Sequence, residues 1–255
     1  MCLFKSLGKS KVEISAYRQF ATSVEVKKWA ETNYASFLGN TDTEIYRKVY
    51  EYTGSWYKPI NAFLRRAPLI NTPEFDSWWP DYENEVRKEY KFYMGAGASM
   101  AEFKFDEADY MELQSLDARK KADAKKINTL LHEYRLTEGI VVYRLVNKDY
   151  LKNLSPTGKL DKGIIIKDKA FLSTTLLPEG MDSVKEKYTY PYMECAILKI
   201  RVPKGSFGAY VSQDGYMGNI LREYEFLLPP STALQVIKVH RMALPMIIEC
   251  EAITE

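Results

Sequence analysis

Gly139-Ile-Val-Val-Tyr-Arg-Leu-Val146 is the stretch on which the fold turns. Its β-branched residues predict a strand over Ile140–Val146, because such side chains suit a pleated surface better than a helix. Downstream, short apolar runs at Gly163–Ile166, Ala170–Thr175, Cys195–Val202, Ala209–Ser212, Tyr224–Leu228, Leu234–His240 and Ile247–Cys250 read the same way. Turn residues such as Pro203-Lys204-Gly205 punctuate them. Many short strands with such turns predict a sandwich of sheets.

Upstream the pattern is helical. Thr22-Ser23-Val24-Glu25 has the form of a capping box and predicts a helix to about Phe37. Thr41-Asp42-Thr43-Glu44 repeats it; Ile45, Val49 and Tyr52 follow at helical spacing, and Gly54 is expected to stop the helix. Ser55 can cap a third helix, with Pro59 near its first turn and Ile60, Phe63 and Leu64 on one face. Pro68, Pro73 and Pro80 break the pattern, Glu83–Tyr93 reads as helix, Gly95–Ser99 as loop, and Asp106–Tyr134 as an amphipathic segment. Its basic residues Arg119, Lys120, Lys121, Lys125 and Lys126 are expected to form a solvated face. Helices followed by strands predict an α+β chain of one domain, 1–255, with a helical part over about 1–138 and a β part over 139–255.

Composition narrows the chemistry. Two histidines, His132 and His240, make a Ser-His-Asp triad or a His metal cluster improbable. Cys2, Cys195 and Cys250 show no CxxC spacing, and the latter two sit in apolar runs that suit a core. No metal is therefore expected. The net charge of +2 and the lack of a basic-aromatic groove give nucleic acid little support. The N-terminal MCLFKSLGKSK has too short an apolar stretch for a classical signal peptide, and no run approaches the roughly 20 apolar residues of a membrane span.

Three features carry chemistry. Arg144 lies within an apolar strand and needs a partner, either a structural ion pair or an anionic ligand suited to its fork of donors. Phe171-Leu172-Ser173-Thr174-Thr175 runs from apolar into hydroxyl residues that can hold a carboxylate on a neighbouring strand. Glu223-Tyr224-Glu225 opens a strand; alternation would put both carboxylates on one face, roughly 7 Å apart, with Tyr224 facing away.

An arginine strand, a Ser-Thr-Thr strand and a late Glu-x-Glu, in that order, resemble the Arg-Ser-Glu class of ADP-ribosyltransferases. The likeness is to the enzymatic components of clostridial actin-modifying binary toxins and to the Rho-modifying exoenzymes. Tyr52-Thr53-Gly54-Ser55-x-Tyr57-x-x-x-Asn61-x-x-Leu64-Arg65 resembles the family's helical segment beside the NAD cleft. Val202-Pro203-Lys204-Gly205-Ser206-x-Gly208-Ala209-Tyr210 resembles its strand and turn before the recognition loop, and Gly215-Tyr216 and Glu223–Leu228 resemble that loop and the catalytic strand. The resemblance covers about residues 22–240, with about 70–105 unmatched.

The resemblance implies the ADP-ribosyltransferase fold, N-terminal helices on a mixed, mainly antiparallel two-sheet β-sandwich. It also implies a protein mono-ADP-ribosyltransferase that uses NAD as substrate. Glu225 would stabilise the oxocarbenium-like transition state, Ser173 would hold Glu225, Thr175 would support the strand, and Thr174 would share the cofactor wall. Arg144 would take the diphosphate side, with Tyr52, Tyr57 and Asn61 lining the cleft. Phe171 would pack on the nicotinamide or in the local core. Glu223 would face an arginine acceptor, as Glu rather than Gln at that position goes with arginine, and Tyr216 would touch the target. The expected partners are a target protein presenting an arginine, with actin a candidate, and a separate delivery component. The chain itself is expected to be a monomer, secreted or injected as a toxin or effector to act in the target cell's cytosol. The competing readings are an NAD glycohydrolase and a catalytically weak docking copy of the fold. Three departures stand out: Leu145 replaces a second arginine, Ala170 replaces an Asn, and the segment between Tyr216 and Glu223 is longer. Lys185 or Lys187 are candidate replacements for the missing cation.

Overall fold

A computed structural model of the chain describes residues 17–40, 42–95, 118–181, 192–211 and 224–253. Helix α1 (Ser23–Leu38) begins as its sequence directs. Thr22 Oγ1 accepts from the Glu25 N–H at 3.2 Å, and the Glu25 carboxylate accepts from the Ala21 N–H at 2.8 Å, one residue further out than the usual box. Val26, Trp29, Ala30, Tyr34 and Phe37 form its buried face at helical spacing.

Helix α2 (Glu44–Glu51) is capped by Thr43, whose hydroxyl accepts from the Tyr46 N–H at 3.3 Å. Gly54 does not stop it. The chain widens into a π-helical turn over Tyr52–Trp56 and continues as α3 (Tyr57–Arg66). Gly54 does not take the left-handed conformation by which glycine ends a helix. The wide turn contains Ser55, the residue four before Pro59, and Pro59 has no N–H to bond its carbonyl. Ile60, Phe63 and Leu64 are buried as the spacing predicts.

Helix α4 (Pro73–Gly95) begins at a proline expected to break the pattern. Proline suits a first helical position, and Thr72 Oγ1 accepts from the Phe75 N–H at 3.3 Å. Helix α5 (Ala118–Glu133) corrects the expected solvated face. Lys121 and Lys125 reach Asp76 at 3.5 and 2.5 Å, and their ammonium groups lie 5.3–5.9 Å from the Phe75 and Trp79 rings. Lys126 pairs with Glu44. The basic face docks α5 onto α4 and α2, its lysine stems covering aromatic surface. The Gly95–Ser99 loop beyond Gly95, and the start of the amphipathic segment at Asp106, lie outside the described residues.

The strands are β1 (Tyr17–Arg18), β2 (Gly139–Asn147), β3 (Ile165–Lys167), β4 (Leu172–Thr175), β5 (Cys195–Val202), β6 (Ala209–Tyr210), β7 (Glu225–Leu228), β8 (Ala233–His240) and β9 (Met246–Ala252). Helix α6 (Lys148–Leu154) follows β2 directly, capped by Asn147, whose side chain accepts from the Asp149 and Tyr150 N–H groups. The strand order is β3-β8-β9-β5-β2-β4-β7-β6, with β1 beside β2. β1–β2 and β5–β9 are parallel and the other pairs antiparallel, so the class is α+β with a mixed, mainly antiparallel sheet. The two expected sheets form one hydrogen-bonded path. Its parts meet through the single pair Tyr143–Thr175, where β2 hands over to β4.

One apolar cluster runs from Phe20, between β1 and α1, to Ala252 on the last strand, joining helices and sheet. Cys250 lies fully inside it, and Cys195 is buried as well. Alternation along β2 sends Ile140 and Val142 into this cluster, and Val141 and Tyr143 into a smaller one with Met181 and Ile197. Behind β7, α1 approaches closely. Phe226 packs on Trp29 and Tyr34, and Tyr34 Oη donates to the Gly208 carbonyl at 3.2 Å. Gly208 has φ +154°, and a Cβ there would fall 2.7 Å from the Phe226 ring, so only glycine fits.

Candidate functional site

The catalytic-strand candidates lie where the sheet changes hands. Thr175 is directly opposite Glu225 and Ser173 opposite Leu227, so Ser173 and Glu225 are diagonal neighbours on one face. Ser173 Oγ donates to Glu225 Oε1 at 2.6 Å, a charge-assisted bond that fixes the carboxylate rotamer. The next residue, Phe226, faces the opposite way into α1, so the strand that aims Glu225 is anchored from behind.

Thr174 and Thr175 serve the scaffold. Thr174 Oγ1 donates to the Phe226 carbonyl at 2.6 Å, tying β4 to β7. Thr175 Oγ1 donates to the Leu177 carbonyl at 3.0 Å and accepts from the Leu177 N–H, closing the turn out of β4. Both nevertheless line the cleft.

Tyr224 changes one expectation. Its φ is +45°, a left-handed conformation rare for a bulky residue, and β7 begins only at Glu225. The alternation that was to put Glu223 and Glu225 on one strand face therefore does not extend through Tyr224. Tyr224 itself is buried. Two backbone bonds pin the bend, Leu176 N–H to the Tyr224 carbonyl and Val211 N–H to the Glu225 carbonyl, each at 3.0 Å. Strain held this way commonly marks functional sites. Glu223, Tyr216, Lys185 and Lys187 lie outside the described residues.

Arg144 projects from β2 into a cleft of about 460 Å³ shared with Tyr57, Asn61, Ser173 and Glu225. Its Nη1 donates to the Ser173 carbonyl at 3.0 Å, and among the described residues it forms no ion pair. That leaves the anionic-ligand reading of its fork open. Leu145 packs against the smaller apolar cluster at the cleft margin.

Tyr52 departs from the expected cleft lining, and Phe171 takes the core position that was one of its two expected places. Both are essentially fully buried, with rings 5.3 Å apart, and belong to the core behind the cleft. Tyr52 opens the π-turn and turns its ring inward onto Phe171, the residue before β4. The Tyr52 hydroxyl meets the Asn61 amide at 3.1–3.2 Å, and burial raises its pKa well above the ordinary phenol value, as does the Glu225 charge. Tyr52 thus holds Asn61, which does line the cleft.

The sequence reading missed a second cation. Arg65, at the end of α3, lines the cleft and pairs with Asp168 through Nε and Nη2, both at 3.1 Å. Tyr150 on α6 donates to the same carboxylate. Burial alone would raise the Asp168 pKa, but the Arg65 charge and these hydrogen bonds hold it below the usual carboxylate range. Lys58 and Cys195 also line the cleft. Arg65 closes the Tyr52–Arg65 motif, the one signal that pointed to it.

A carboxylate aimed by a hydroxyl can stabilise developing positive charge, and two arginines across the same cleft can hold an anionic ligand. No group of His, Cys, Asp and Glu that could hold a metal ion occurs among the described residues. No helix among them is long and apolar enough to cross a membrane.

Comparison with solved structures finds the same fold in bacterial proteins. C3stau2 from S. aureus, solved with NAD, is 18% identical and aligns over 94% of this chain and 99% of its own at a TM-score of 0.59. The C3 exoenzyme of Clostridium limosum is 16% identical over 93% of this chain and 97% of its own, with a TM-score of 0.52. BECa, an ADP-ribosylating toxin of a binary enterotoxin of C. perfringens solved with NADH, is 22% identical over 93% of this chain and 50% of its own, with a TM-score of 0.54. At such identities the likeness concerns the fold. No curated protein matches the chain significantly in sequence. The family model of the ADP-ribosyltransferase exoenzymes, in contrast, matches residues 107–248, more than half the chain and all of β2 through β8, and the chain belongs to that family.

Proposed function

We infer that the chain cleaves NAD at the bond between nicotinamide and ribose and transfers ADP-ribose to an arginine of a target protein. The observation that carries this reading is the 2.6 Å bond from Ser173 to Glu225 on the wall of a cleft that also holds Arg144. As the glycosidic C–N bond breaks, its electron pair leaves with neutral nicotinamide and positive charge spreads over the ribose carbon and ring oxygen. Glu225, held in place by Ser173, stabilises that charge. Arg144 and Arg65 take the diphosphate, and Tyr57 and Asn61 flank the dinucleotide from α3.

The acceptor assignment rests on Glu223. A guanidinium nitrogen attacks the ribose carbon and must lose a proton, and a nearby carboxylate both attracts the cation and takes that proton. Structural relatives support the wider setting. BECa belongs to a binary enterotoxin, and C2-I is the enzymatic component of the C2 toxin of Clostridium botulinum. A toxin role with a separate delivery component, and action in a target cell, follow by analogy. Actin is the candidate target. The continuous core from Phe20 to Ala252 supports one working unit, and we take it to act as a monomer.

The test is incubation with tagged NAD and a eukaryotic lysate, comparing the native chain with Glu225→Ala and Glu223→Gln. The native chain should label a protein band in which mass spectrometry places ADP-ribose on arginine. Glu225→Ala should lose both labelling and nicotinamide release, and Glu223→Gln should lose labelling while keeping some release. Free ADP-ribose with no labelled protein would make the chain a glycohydrolase. Label on Asn, Cys or Thr alone would sink the arginine assignment.

A further inference from the structure

The cluster around Arg65 has no role in the bond-breaking step, yet it is more completely organised than the cleft requires. Asp168 is 7% exposed and accepts four hydrogen bonds. Oδ1 takes Arg65 Nε at 3.1 Å and the Ala170 N–H at 3.0 Å; Oδ2 takes Arg65 Nη2 at 3.1 Å and the Tyr150 hydroxyl. A carboxylate offers about four lone-pair sites, so this one is filled. Arg65 Nε also lies 3.1 Å from Tyr150 Oη, and the guanidinium carbon sits 5.3 Å from the Tyr150 ring centroid. One edge of the guanidinium is therefore held from two sides. Nη1 makes no hydrogen bond among the described residues, and the side chain lines the cleft.

The charges are set for this arrangement. Burial alone would raise the Asp168 pKa, but the Arg65 charge together with the hydrogen bonds from Arg65, Tyr150 and the Ala170 N–H holds it below the usual carboxylate range, and burial pushes the Tyr150 phenol up to about 12, so it remains a donor at neutral pH. Asp168 and Tyr150 also line a cavity of about 20 Å³ that shares Arg144, Val146 and Tyr150 with the cleft. The cluster thus adjoins both arginines.

We propose that Asp168 and Tyr150 are positioning residues that fix the Arg65 guanidinium for the diphosphate of NAD and so set affinity for the dinucleotide. The inference rests on the NAD reading above. An unanchored arginine must be ordered at every binding event, which weakens binding, whereas one bound along its Nε edge presents its remaining donors in a fixed plane. A lysine could not be held this way. Because the cluster acts on the diphosphate rather than the ribose carbon, its loss should appear in KM and leave kcat nearly intact. An ion pair serving only stability would instead lower the melting temperature with no effect on KM.

The experiment follows nicotinamide release against NAD concentration, with calorimetric NAD binding and melting temperature for each variant. The variants are Asp168→Asn, Tyr150→Phe, Arg65→Ala and the double Arg65→Ala/Asp168→Asn. Asp168→Asn should raise KM about tenfold with kcat within about twofold, and Tyr150→Phe should move KM the same way by less. In the double variant KM should match Arg65→Ala, because Asp168 acts only through Arg65. Unchanged KM in Asp168→Asn and Tyr150→Phe, or additive effects in the double variant, overturns the inference while leaving the NAD reading intact. Should Asp168→Asn fail to fold, Tyr150→Phe decides alone, and unchanged KM there overturns the inference. A native chain that neither binds nor cleaves NAD overturns the functional reading itself, and the inference with it.

Discussion

The two walls of the cleft are held by different means. On one, Ser173 and Glu225 are placed by the β4–β7 ladder, with Phe226 locked from behind by Trp29, Tyr34 and the close approach of Gly208. On the other, Arg65 and Asn61 project from α3 and are placed by side chains: Asp168, Tyr150 and Tyr52. A ladder fixes a side chain through backbone register, which tolerates little variation. A side-chain cluster holds long, flexible groups that would otherwise wander. The proposed chemistry divides the same way, with the reacting carbon against the ladder and the diphosphate against the cluster.

Apart from substitution of Glu225 itself, the largest effect should come from breaking the ladder wall at its front. Ser173→Ala removes the 2.6 Å donor to Glu225, and loss of such a charge-assisted bond should lower kcat for nicotinamide release roughly 10- to 100-fold with KM little changed. A kcat within twofold of native would show that the carboxylate is aimed by something else. Breaking the same wall from behind is a stability experiment. Gly208→Ala forces a Cβ into Phe226 at a positive φ, and urea unfolding should show a loss of about 1–3 kcal/mol. A native-like midpoint would mean that α1 does not brace β7 as described.

Arg144 stands between the walls, on β2 but bonded to the Ser173 carbonyl on β4. Arg144→Lys keeps the charge and loses the fork, so KM for NAD should rise about fivefold, corresponding to ~1 kcal/mol. A rise in KM with unchanged kcat would group Arg144 with the diphosphate wall; a fall in kcat would group it with Glu225. The smallest effect lies far from both. Glu249 is half-buried on β9, where burial alone would raise its pKa but the His240 hydrogen bond at 2.7 Å and nearby cations hold it below the ordinary carboxylate value. A depressed folded pKa contributes stability above the unfolded value, and that stability is lost as pH falls through the folded one. The melting temperature of native protein should therefore fall more steeply with acidification than that of Glu249→Gln. Parallel curves would mean that the pair contributes no stability for acidification to remove.

The same division explains what could be read from sequence. Cys195–Val202 coincides with β5 because an apolar run, alternating with Lys199 and Arg201 toward its end, stops at a proline turn. The Ser173–Glu225 pair was legible through the resemblance to a known class, which joins the Ser-Thr-Thr and Glu-x-Glu strands; the β4–β7 register then puts both side chains on one face. The Arg65–Asp168 pair was not, since 103 residues separate its members and neither has a local pattern. Tyr52 was expected in the cleft from the resemblance of its motif, and a motif does not tell a lining side chain from one buried behind it. The π-turn between α2 and α3 escaped because Gly54 and Pro59 read locally as stop and start, whereas packing carries the helix through. Tyr224 escaped for a backbone reason: alternation assumes extended residues, and a left-handed one resets it.

The central claim, that Glu225 supplies the charge that opens the nicotinamide–ribose bond, is tested most directly by nicotinamide release at saturating NAD from native protein and Glu225→Gln. The substitution keeps the size and a hydrogen-bond partner for Ser173 and removes only the charge. The expected result is a fall in kcat of roughly 100-fold or more with NAD binding retained. Release at the native rate from Glu225→Gln would contradict the claim.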